Sequence, residues 1–537
     1  MFKRRFIGKF CLSVCFFSLL TNPLFAAFNT QIMQEYVDCG ETLSGQLLRS
    51  HEDQDDDSLS LGHMIHILPE LFIDGFDGIT YFADRFKKLG INSLLLGASN
   101  PQTEEFHICN NSNGELEVYC NDGRYWPRNH ALPSESVGGL EAEARLLRQL
   151  HANGIRVFAD AVVGHFGYFK MYQTIYFADK WYYPSELPKG VLRPDPGITQ
   201  VDWDLLESLD DAQKIIDLQR NVFSQKRLYG LPGFNHKDPR VVKHLIDSYK
   251  QYIDRGYDGF RIDAALYCDF EFIVSFVSEL TSYAERKYAK RIDFIIELLA
   301  RGSFPFHVLS NHLLGMMPSK KNVYFLDFPQ MYELQRISSE QDFSFNWYVN
   351  GFLGYQKTLP LNRARLLSTI ENHDFGKPIL NHDMQQVTYA LAGFTGHHPS
   401  LFFHGTETPG RITHNRDLLA DVREESELLQ MSQSIDRALR DYRQESMPSS
   451  EIKVHFSDEQ SREVGLYSIE SKMNALYLLV AKPNSSQRII NLPLDKSHIE
   501  LNLQLKYQNG NVSIAQKEES LVIEINGFAI LLFEISK

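Results

Sequence analysis

Short apolar segments alternate with amphipathic helical segments over most of this 537-residue chain. In the segment GLEAEARLLRQLHANG, residues 139–154, Leu140, Ala144, Leu147 and Leu150 share one predicted helix face and Gly154 ends the helix. The apolar runs predicted as strands are HMIHIL, INSLLLG, IRVFADAVV, DGFRIDA, DFIIELL, NVYFLDFP, RLLSTIENHD and SLFFHGTE. This alternation predicts an α/β fold with a parallel sheet, and eight units favour a closed (β/α)8 TIM barrel.

Two segments depart from this alternation. Periodicity lapses over residues 164–232, which are rich in aromatic residues and punctuated by proline, and this indicates a domain inserted after the third strand. From about residue 450 apolar residues alternate with polar ones, which predicts antiparallel hairpins with turns at Asn509-Gly510 and Asn526-Gly527. The predicted domains are therefore a barrel formed by residues 27–163 and 233–449, the insertion at 164–232, and a β domain at 450–537.

The first 26 residues have the pattern of a cleaved signal peptide. Basic residues at positions 3, 4, 5 and 9 precede an apolar run from Phe10 to Leu20, and Ala26 and Ala27 follow. The apolar run is shorter than the roughly 20 residues that span a bilayer, so an uncleaved membrane anchor is the weaker interpretation. We expect a secreted or periplasmic protein without a membrane anchor.

The net charge of the chain limits the classes of partner that it can bind. The formal net charge is -14 at pH 7, and removal of the basic signal residues makes it more negative. Such a chain is a poor ligand for nucleic acid or for anionic membranes, because both repel negative charge. A neutral small or polymeric substrate fits better, and we expect a monomer.

Polar side chains interrupt the predicted strands near their C-terminal ends. In the stretch YDGFRIDAALY, residues 257–267, Arg261 and Asp263 lie two positions apart and therefore on the same face of the strand. The other residues of this kind are Asp160, His165, Glu297, His373 and Asp374. The C-terminal ends of the strands form the active-site mouth of a (β/α)8 barrel, so we expect these side chains to converge there.

Carboxylates in such a mouth suit the retaining cleavage of a glycosidic bond. One carboxylate attacks the sugar carbon, while a second protonates the leaving oxygen and later deprotonates water. Asp160 also has a structural interpretation, in which it holds Arg261 or neighbouring backbone. The aromatic residues of the insertion read either as its small core or as additional sugar-binding surface.

Five ordered motifs carry a resemblance to a known family. They are DAVVGH (160–165), LPGFNHKDPRV (231–241), GFRIDAALY (259–267), FIIELL (294–299) and STIENHD (368–374). Their order and spacing resemble the α-amylase family of glycoside hydrolases, family thirteen. The resemblance implies a catalytic barrel, an inserted B domain after the third strand, and a C-terminal antiparallel β-sandwich. It also implies hydrolysis of α-1,4 bonds in starch, glycogen or maltodextrins through a covalent glycosyl-enzyme.

The resemblance assigns a role to each matching residue. Asp263 would be the nucleophile, oriented by Arg261, Glu297 would be the general acid/base, and Asp374 would stabilise the transition state. The substrate-binding residues would be Arg261 itself, Tyr125 stacking on the sugar, and His165 and His373 donating hydrogen bonds to it.

Departures from the family pattern leave some properties open. Gly164 stands where many α-amylases have a calcium-binding Asn, and Leu266-Tyr267 replaces a Lys-His pair, so no metal ligand is assigned and calcium stays an open alternative. The sequence Gly-His at 164–165 also resembles glucan branching enzymes. Transglycosylation by an α-glucan transglycosylase or branching-type enzyme is therefore the alternative activity. A non-catalytic sugar-binding protein on the same fold is the weaker one.

Overall fold

The computed structural model describes most of the chain from residue 61 onward. The described residues are 61–72, 74–110, 116–167, 173–194, 196–228, 230–339, 345, 347–355, 365–370, 382–396, 401–403, 426–445, 452–457, 464–470, 474–482, 487–493, 502–517 and 520–536. The predicted signal peptide, His373 and Asp374 lie outside them. Residues 57–352 and 361–537 form one compact unit, and of the other unit, 1–56 with 353–360, the described residues 353–355 are helical.

Among the described residues, eight strands form one parallel sheet. The strands are β1 (Met64–Ile67), β2 (Ser93–Leu96), β5 (Arg156–Ala161), β8 (Gly259–Ile262), β9 (Asp293–Ile296), β10 (Val323–Leu326), β11 (Leu366–Leu367) and β12 (Leu401–Phe403). Their order is β11-β10-β9-β8-β5-β2-β1-β12. All eight predicted strands are confirmed, and sequential parallel pairing with intervening helices is the (β/α)8 TIM-barrel architecture.

Helices follow most of the strands, and two helices lie in the inserted segment. In chain order they are α1 (Phe76–Tyr81), α2 (Ala83–Lys88), α3 (Gly139–Ala152), α4 (Gln200–Ser208), α5 (Ala212–Leu218), α6 (Pro239–Arg255), α7 (Phe270–Tyr288), α8 (Ser303–Met316), α9 (Phe328–Ser339), α10 (His382–Thr395) and α11 (Glu427–Glu445). Asp238 caps α6 by accepting a hydrogen bond from the amide of Arg240, and Pro239 fits the first turn because it lacks an N–H.

The buried face of α3 differs from the predicted one. Leu140 is 46% exposed, whereas Glu143 is fully buried. Glu143 accepts a hydrogen bond from the hydroxyl of Tyr257 (2.8 Å), and its other oxygen lies 2.6 Å from Nε of Arg255. These contacts stabilise a carboxyl group whose burial raises its pKa, so a polar residue occupies a core position.

The segment after β5 contains a short hairpin, β6 (Ile175–Phe177) and β7 (Lys180–Tyr182), followed by α4 and α5. Isolated bridges His165–Gly233 and Leu192–Phe234 join its two ends. Phe177 is buried in a cluster with His130 and His244, whereas Trp181 and Tyr183 are about half exposed. The aromatic residues of the insertion therefore include core residues, and others face solvent.

The C-terminal segment forms one antiparallel sheet. Its strands are β13 (Lys453–Ser457), β14 (Val464–Glu470), β15 (Asn474–Ala481), β16 (Arg488–Pro493), β17 (Asn502–Lys517) and β18 (Ser520–Ser536). The order is β13-β14-β15-β18-β16, and β17 pairs with the other edge of β18. The predicted antiparallel sheet in this segment is confirmed. The helical pair α10 and α11 packs on it, and Tyr442 donates a hydrogen bond to Glu534 (2.9 Å).

The two predicted Asn-Gly turns are wrong. Asn509-Gly510 and Asn526-Gly527 lie inside the long strands β17 and β18, where the register shifts next to Gly510. Gly510 and Gly527 have φ of 86° and 85°, which produces a bulge and a bend without reversing the chain. At this bend β18 changes partner, from β16 on its first half to β15 on its second.

The remaining hairpin is formed by β3 (Gln102–Asn110) and β4 (Leu116–Pro127) and extends from the loop after β2. Tyr125 lies near the C-terminal end of β4. Within the part of the chain that the structure describes, no helix is both long enough and apolar enough to cross a membrane.

Close packing where β8 begins generates a first prediction. A Cβ on Gly259 would lie 2.2 Å from the carbonyl oxygen of Asp293 and 2.5 Å from the ring of Phe158. Because backbone atoms on β9 cannot move away freely, we expect Gly259→Ala to lower the free energy of unfolding by about 3 kcal/mol. Urea denaturation followed by tryptophan fluorescence measures the change. Gly315→Ala is the control, since a Cβ there meets nothing and alanine favours the helix by up to about 1 kcal/mol.

The buried histidines generate a second prediction. Burial lowers the pKa of His244 to about 4, against the opposing effect of Asp179 and Asp247. The folded state therefore favours neutral His244, and this contribution to stability is complete above about pH 6.5 and is lost as the pH falls towards 4. We expect His244→Gln to reduce the slope of unfolding free energy against pH in this window by about 1.4 kcal/mol per pH unit. Parallel curves for variant and wild type would contradict this.

Candidate active site

The C-terminal ends of β5, β8 and β9 bring four charged side chains together. Asp160 on β5 pairs directly with Arg261 on β8, and Asp263 and Glu297 each follow the last residue of their strand. All four side chains are at least nine-tenths buried. Adjacent parallel strands in register place their ends at one edge, and this explains why residues far apart in sequence meet here.

The guanidinium of Arg261 contacts all three carboxylates. Its NH1 group donates to both oxygens of Asp160 (2.7 and 2.9 Å) and to Oδ1 of Asp263 (3.0 Å). Its NH2 group donates to Oε1 of Glu297. Burial alone would lower the pKa of Arg261, but the surrounding carboxylates outweigh it and the pKa is raised. Arg261 is therefore a permanent cation that orients both predicted catalytic carboxylates.

Glu297 is held on both of its oxygens. Oε1 accepts from Arg261, and Oε2 accepts from the backbone N–H of Ala264 at 2.7 Å. Ala264 has φ 47° and ψ 42°, a left-handed conformation that is strained for alanine and that turns its amide towards Glu297. Each carboxylate oxygen has two acceptor positions, so these contacts leave one position on each oxygen for the proton that a general acid carries.

Asp160 ties Tyr125 to the same cluster. The hydroxyl of Tyr125 donates to Oδ2 of Asp160 (2.7 Å), and the Tyr125 ring centroid lies 5.6 Å from the guanidinium carbon of Arg261. His66, at the end of β1, lies 3.8 Å from the same oxygen. Burial raises the pKa of Asp160 to about 6 although Arg261 and Tyr125 lower it. This agrees with the structural interpretation of Asp160, and His66 is a neighbour that sequence reasoning missed.

His165 makes a backbone contact in this structure. Its Nε2 lies 2.7 Å from the carbonyl oxygen of Tyr125, which can only accept, so Nε2 carries the proton. Burial lowers the pKa of His165 to about 4, so the ring is neutral at pH 7. The single N–H of the neutral ring is used on Tyr125, and donation to a sugar would require exchange of that bond.

The predicted partners His373 and Asp374 lie outside the described residues, so their roles stay predictions. The described part of the predicted site is thus Tyr125, His165, Arg261, Asp263 and Glu297, and the structure brings the last three into direct contact through one guanidinium.

The insertion contacts the loops that follow both predicted catalytic carboxylates. Glu207 on α4 accepts hydrogen bonds from the amides of Arg301 (2.9 Å) and Gly302 (2.7 Å), in the loop after Glu297. Gln219 donates to the carbonyl oxygens of Leu266 (3.2 Å) and Cys268 (2.8 Å), in the loop after Asp263. Nothing in the sequence pattern marks these residues, because their partners are backbone groups and carry no side-chain signature.

Comparisons with known proteins show which proteins the chain is similar to. Residues 66–290 match the family model described as alpha amylase, catalytic domain. A cyclomaltodextrin glucanotransferase from Geobacillus stearothermophilus is 22% identical over 361 residues, covering 66% of this chain and 46% of that protein. A probable oligo-1,6-glucosidase from Bacillus subtilis (strain 168) is 20% identical over 219 residues, covering 39% of this chain and 35% of that protein. The chain thus spans under half the length of these curated relatives.

Solved structures show the same fold. An α-amylase from Geobacillus thermoleovorans, complexed with acarbose, has a TM-score of 0.65 at 16% identity and covers 89% of this chain and 98% of its own. A cyclomaltodextrin glucanotransferase with a three-domain ABC distribution has a TM-score of 0.66 at 16% identity, covering 89% and 99%. The matched segment contains Asp160 on β5, Arg261 on β8 and Asp263 directly after β8, and the family model and the relatives together support membership of the α-amylase family of glycoside hydrolases.

Proposed function

We propose that this protein cleaves α-1,4-glucosidic bonds of starch, glycogen or maltodextrins with retention of configuration. The observation that carries the proposal is the single guanidinium of Arg261, which holds Asp263 and Glu297 side by side at the strand ends. Retaining enzymes need two carboxyl groups close enough to act on the same sugar carbon and its leaving oxygen, about 5 to 5.5 Å apart. Family membership supplies the substrate class.

In the first step, Asp263 is the nucleophile. A carboxylate oxygen of Asp263 forms a bond to the anomeric carbon while the bond from that carbon to the glycosidic oxygen breaks. Glu297 donates its proton to the departing oxygen, so the leaving sugar departs as a neutral alcohol. Arg261 orients Asp263 in its ionised form, because a cation 3.0 Å from a carboxylate oxygen favours the charged state.

In the second step, the roles reverse. Glu297, now a carboxylate, removes a proton from water, and the water oxygen attacks the anomeric carbon as the bond to Asp263 breaks. Two inversions at the same carbon restore the α configuration. Asp263 returns as a carboxylate and Glu297 returns as an acid, so the catalytic cycle closes without a metal or cofactor taking part.

The contacts of Glu297 are compatible with its proposed role. Glu297 accepts one hydrogen bond on each oxygen, from Arg261 and from the amide of Ala264. A protonated carboxyl keeps acceptor capacity, so Glu297 can hold both contacts while its proton faces the glycosidic oxygen.

Transglycosylation is the second candidate activity. It uses the same covalent intermediate, and the difference is whether water or the hydroxyl of another sugar attacks it. The similarity to cyclomaltodextrin glucanotransferases, one of which matches over 361 residues, favours this candidate. Predicted export favours hydrolysis, because the branching-type alternative modifies intracellular glycogen. We propose hydrolysis first, in a secreted or periplasmic location.

Catalytic variants test the proposal. We expect Asp263→Asn and Glu297→Gln each to lower kcat on maltoheptaose by at least about 1,000-fold, because one removes the nucleophile and the other the transferable proton. Chromatography of the products, with proton NMR of the new reducing ends, gives the rate and the configuration. Asp254→Asn is the matched control, since Asp254 lies on α6 and contacts Lys287 and Tyr283 at the surface.

The product pattern separates the two activities. Short maltosaccharides that appear first as the α anomer support the proposed hydrolysis. Products longer than maltoheptaose, or cyclic products, would instead indicate transglycosylation. A wild-type protein that releases no product from maltoheptaose, amylose or pullulan between pH 4 and 8 would contradict both.

A further inference from the structure

Arg193 is a buried cation in the inserted segment. Its residue exposure is 5%, and it lies in the stretch VLRPDPG, which carries no recognisable motif. Its guanidinium donates to the carbonyl oxygens of Phe234, Lys226 (3.2 Å) and Tyr267 (2.7 Å), and to Nδ1 of His236 (3.0 Å). Among the described residues, Arg193 forms no ion pair with a carboxylate. Its charge is balanced by these backbone carbonyl dipoles and, at longer range, by the carboxyl group of Asp269.

The acceptors of Arg193 belong to separate parts of the chain. Tyr267 ends the helical turn Ala265–Tyr267, which begins two residues after Asp263. Phe234 follows the insertion, and its own amide donates to the carbonyl oxygen of Gly164, where the insertion begins (2.9 Å). One side chain thus joins both ends of the insertion to the loop that follows the predicted nucleophile.

His236 accepts a hydrogen bond from the Arg193 guanidinium. Its Nε2 lies 2.9 Å from the carbonyl oxygen of Val163, so Nε2 carries the proton and Nδ1 is left as an acceptor for Arg193. The ring stacks on Phe272 at 4.1 Å. Burial holds the pKa of His236 well below its usual range, with a further lowering by Arg193. A neutral ring in a fixed tautomer is consistent with a permanently positive neighbour.

The surroundings of Arg193 also determine whether a calcium ion could bind at this place. A ring of carbonyl oxygens around a buried positive charge is the environment that Ca²⁺ takes in proteins, where six to eight oxygens surround the ion. Gly164 and Tyr267 are the positions at which the chain departs from the calcium-associated residues of α-amylases. Gly164 is linked to Arg193 through Phe234, and Tyr267 contacts Arg193 directly. The carbonyl oxygen of Tyr267 accepts from the guanidinium. Gly164 offers no side-chain oxygen, and a Cβ there would face Sγ of Cys268 at 3.6 Å.

The residues present therefore do not fit a calcium ion at this place. Within the described part of the chain, no group of three or more His, Cys, Asp or Glu side chains could hold a metal. A divalent cation next to the Arg193 guanidinium would also be repelled by it, because like charges a few ångströms apart in a buried site cost several kcal/mol.

We propose that Arg193 replaces a structural calcium ion as the fixed cation that joins the inserted segment to the loop following Asp263, and that it thereby positions Asp263 for catalysis. The proposal deepens the proposed function and rests on it for its kinetic part. Burial lowers the pKa of Arg193 to about 10, which leaves the side chain charged at neutral pH. Unlike a lysine, its planar guanidinium reaches several carbonyl groups at fixed angles.

The test uses the purified full-length protein. We expect EGTA in excess to leave the wild-type rate unchanged and added Ca²⁺ to have no effect. We expect Arg193→Ala to lower kcat about 100-fold while KM stays within about threefold, because displacement of a catalytic group by about 1 Å costs a factor of that size. Arg240→Ala is the matched control, since Arg240 also donates to a backbone carbonyl, that of Lys189, but lies at the surface.

Two pairs of conditions separate a cation from a structural contact. Millimolar guanidinium should restore part of the Arg193→Ala rate, whereas urea, which has a similar shape without the charge, should not. Arg193→Lys should retain more activity than Arg193→Gln, which keeps a hydrogen-bond donor on a shorter side chain without the charge. Equal rescue by urea, or a glutamine variant as active as the lysine variant, would overturn the proposed cation role.

Hydrogen exchange keeps the test independent of activity. We expect the amides of residues 265–268 to exchange at least about tenfold faster in Arg193→Ala than in the wild type. Unchanged exchange would overturn the proposal. Loss of wild-type activity in EGTA with recovery in Ca²⁺ would also overturn it, and this arm needs no variant that must fold. A wild type without activity on any α-glucan would contradict the proposed function, and the exchange experiment would still decide the role of Arg193.

Discussion

The ion cluster centred on Arg261 is the interaction on which the active site depends. Moving a guanidinium from water into a protein interior costs several kcal/mol, and each buried carboxylate carries a similar cost. Here the costs offset each other, because one cation meets Asp160, Asp263 and Glu297 at the ends of three adjacent strands. The parallel register sets this geometry, since Asp160 and Arg261 are partners in the sheet. Removal of Arg261 would leave three buried carboxylates without their common cation.

The inserted segment supports this cluster from outside the barrel. Irregular loops expose backbone N–H and C=O groups that need partners once they are buried. Glu207 accepts from amides in the loop after Glu297, while Gln219 and Arg193 donate to carbonyl groups in the loop after Asp263. The loops that follow the two predicted catalytic carboxylates are thereby held by one common element. The barrel strands position these two side chains, and the insertion binds the loops that follow them.

The sequence predicted the features that depend on local pattern. Apolar runs gave the barrel strands, and the spacing of Arg261 and Asp263 placed both on one face. The sequence predictions were wrong where contacts between residues far apart in the chain determine burial or backbone conformation. Leu140 fits a helical periodicity but is exposed. Glu143 is buried, where it forms an ion pair with Arg255 and accepts a hydrogen bond from Tyr257. Asn509-Gly510 fits a hairpin turn, yet its positive φ serves a bulge in a longer strand. Arg193 has backbone partners alone apart from His236, and such partners leave no trace in residue types.

The order of the strands has a consequence for how the site forms as the chain is synthesised. Asp160 precedes Arg261 by 101 residues, and Glu297 follows it by 36. When β8 leaves the ribosome, Asp160 is already available, so the arginine meets a carboxylate before it has to be buried. Glu297 completes the cluster only when β9 docks. A nascent chain that ends between these strands would hold an incomplete cluster open to water, so docking of β9 couples extension of the sheet to assembly of the predicted catalytic pair.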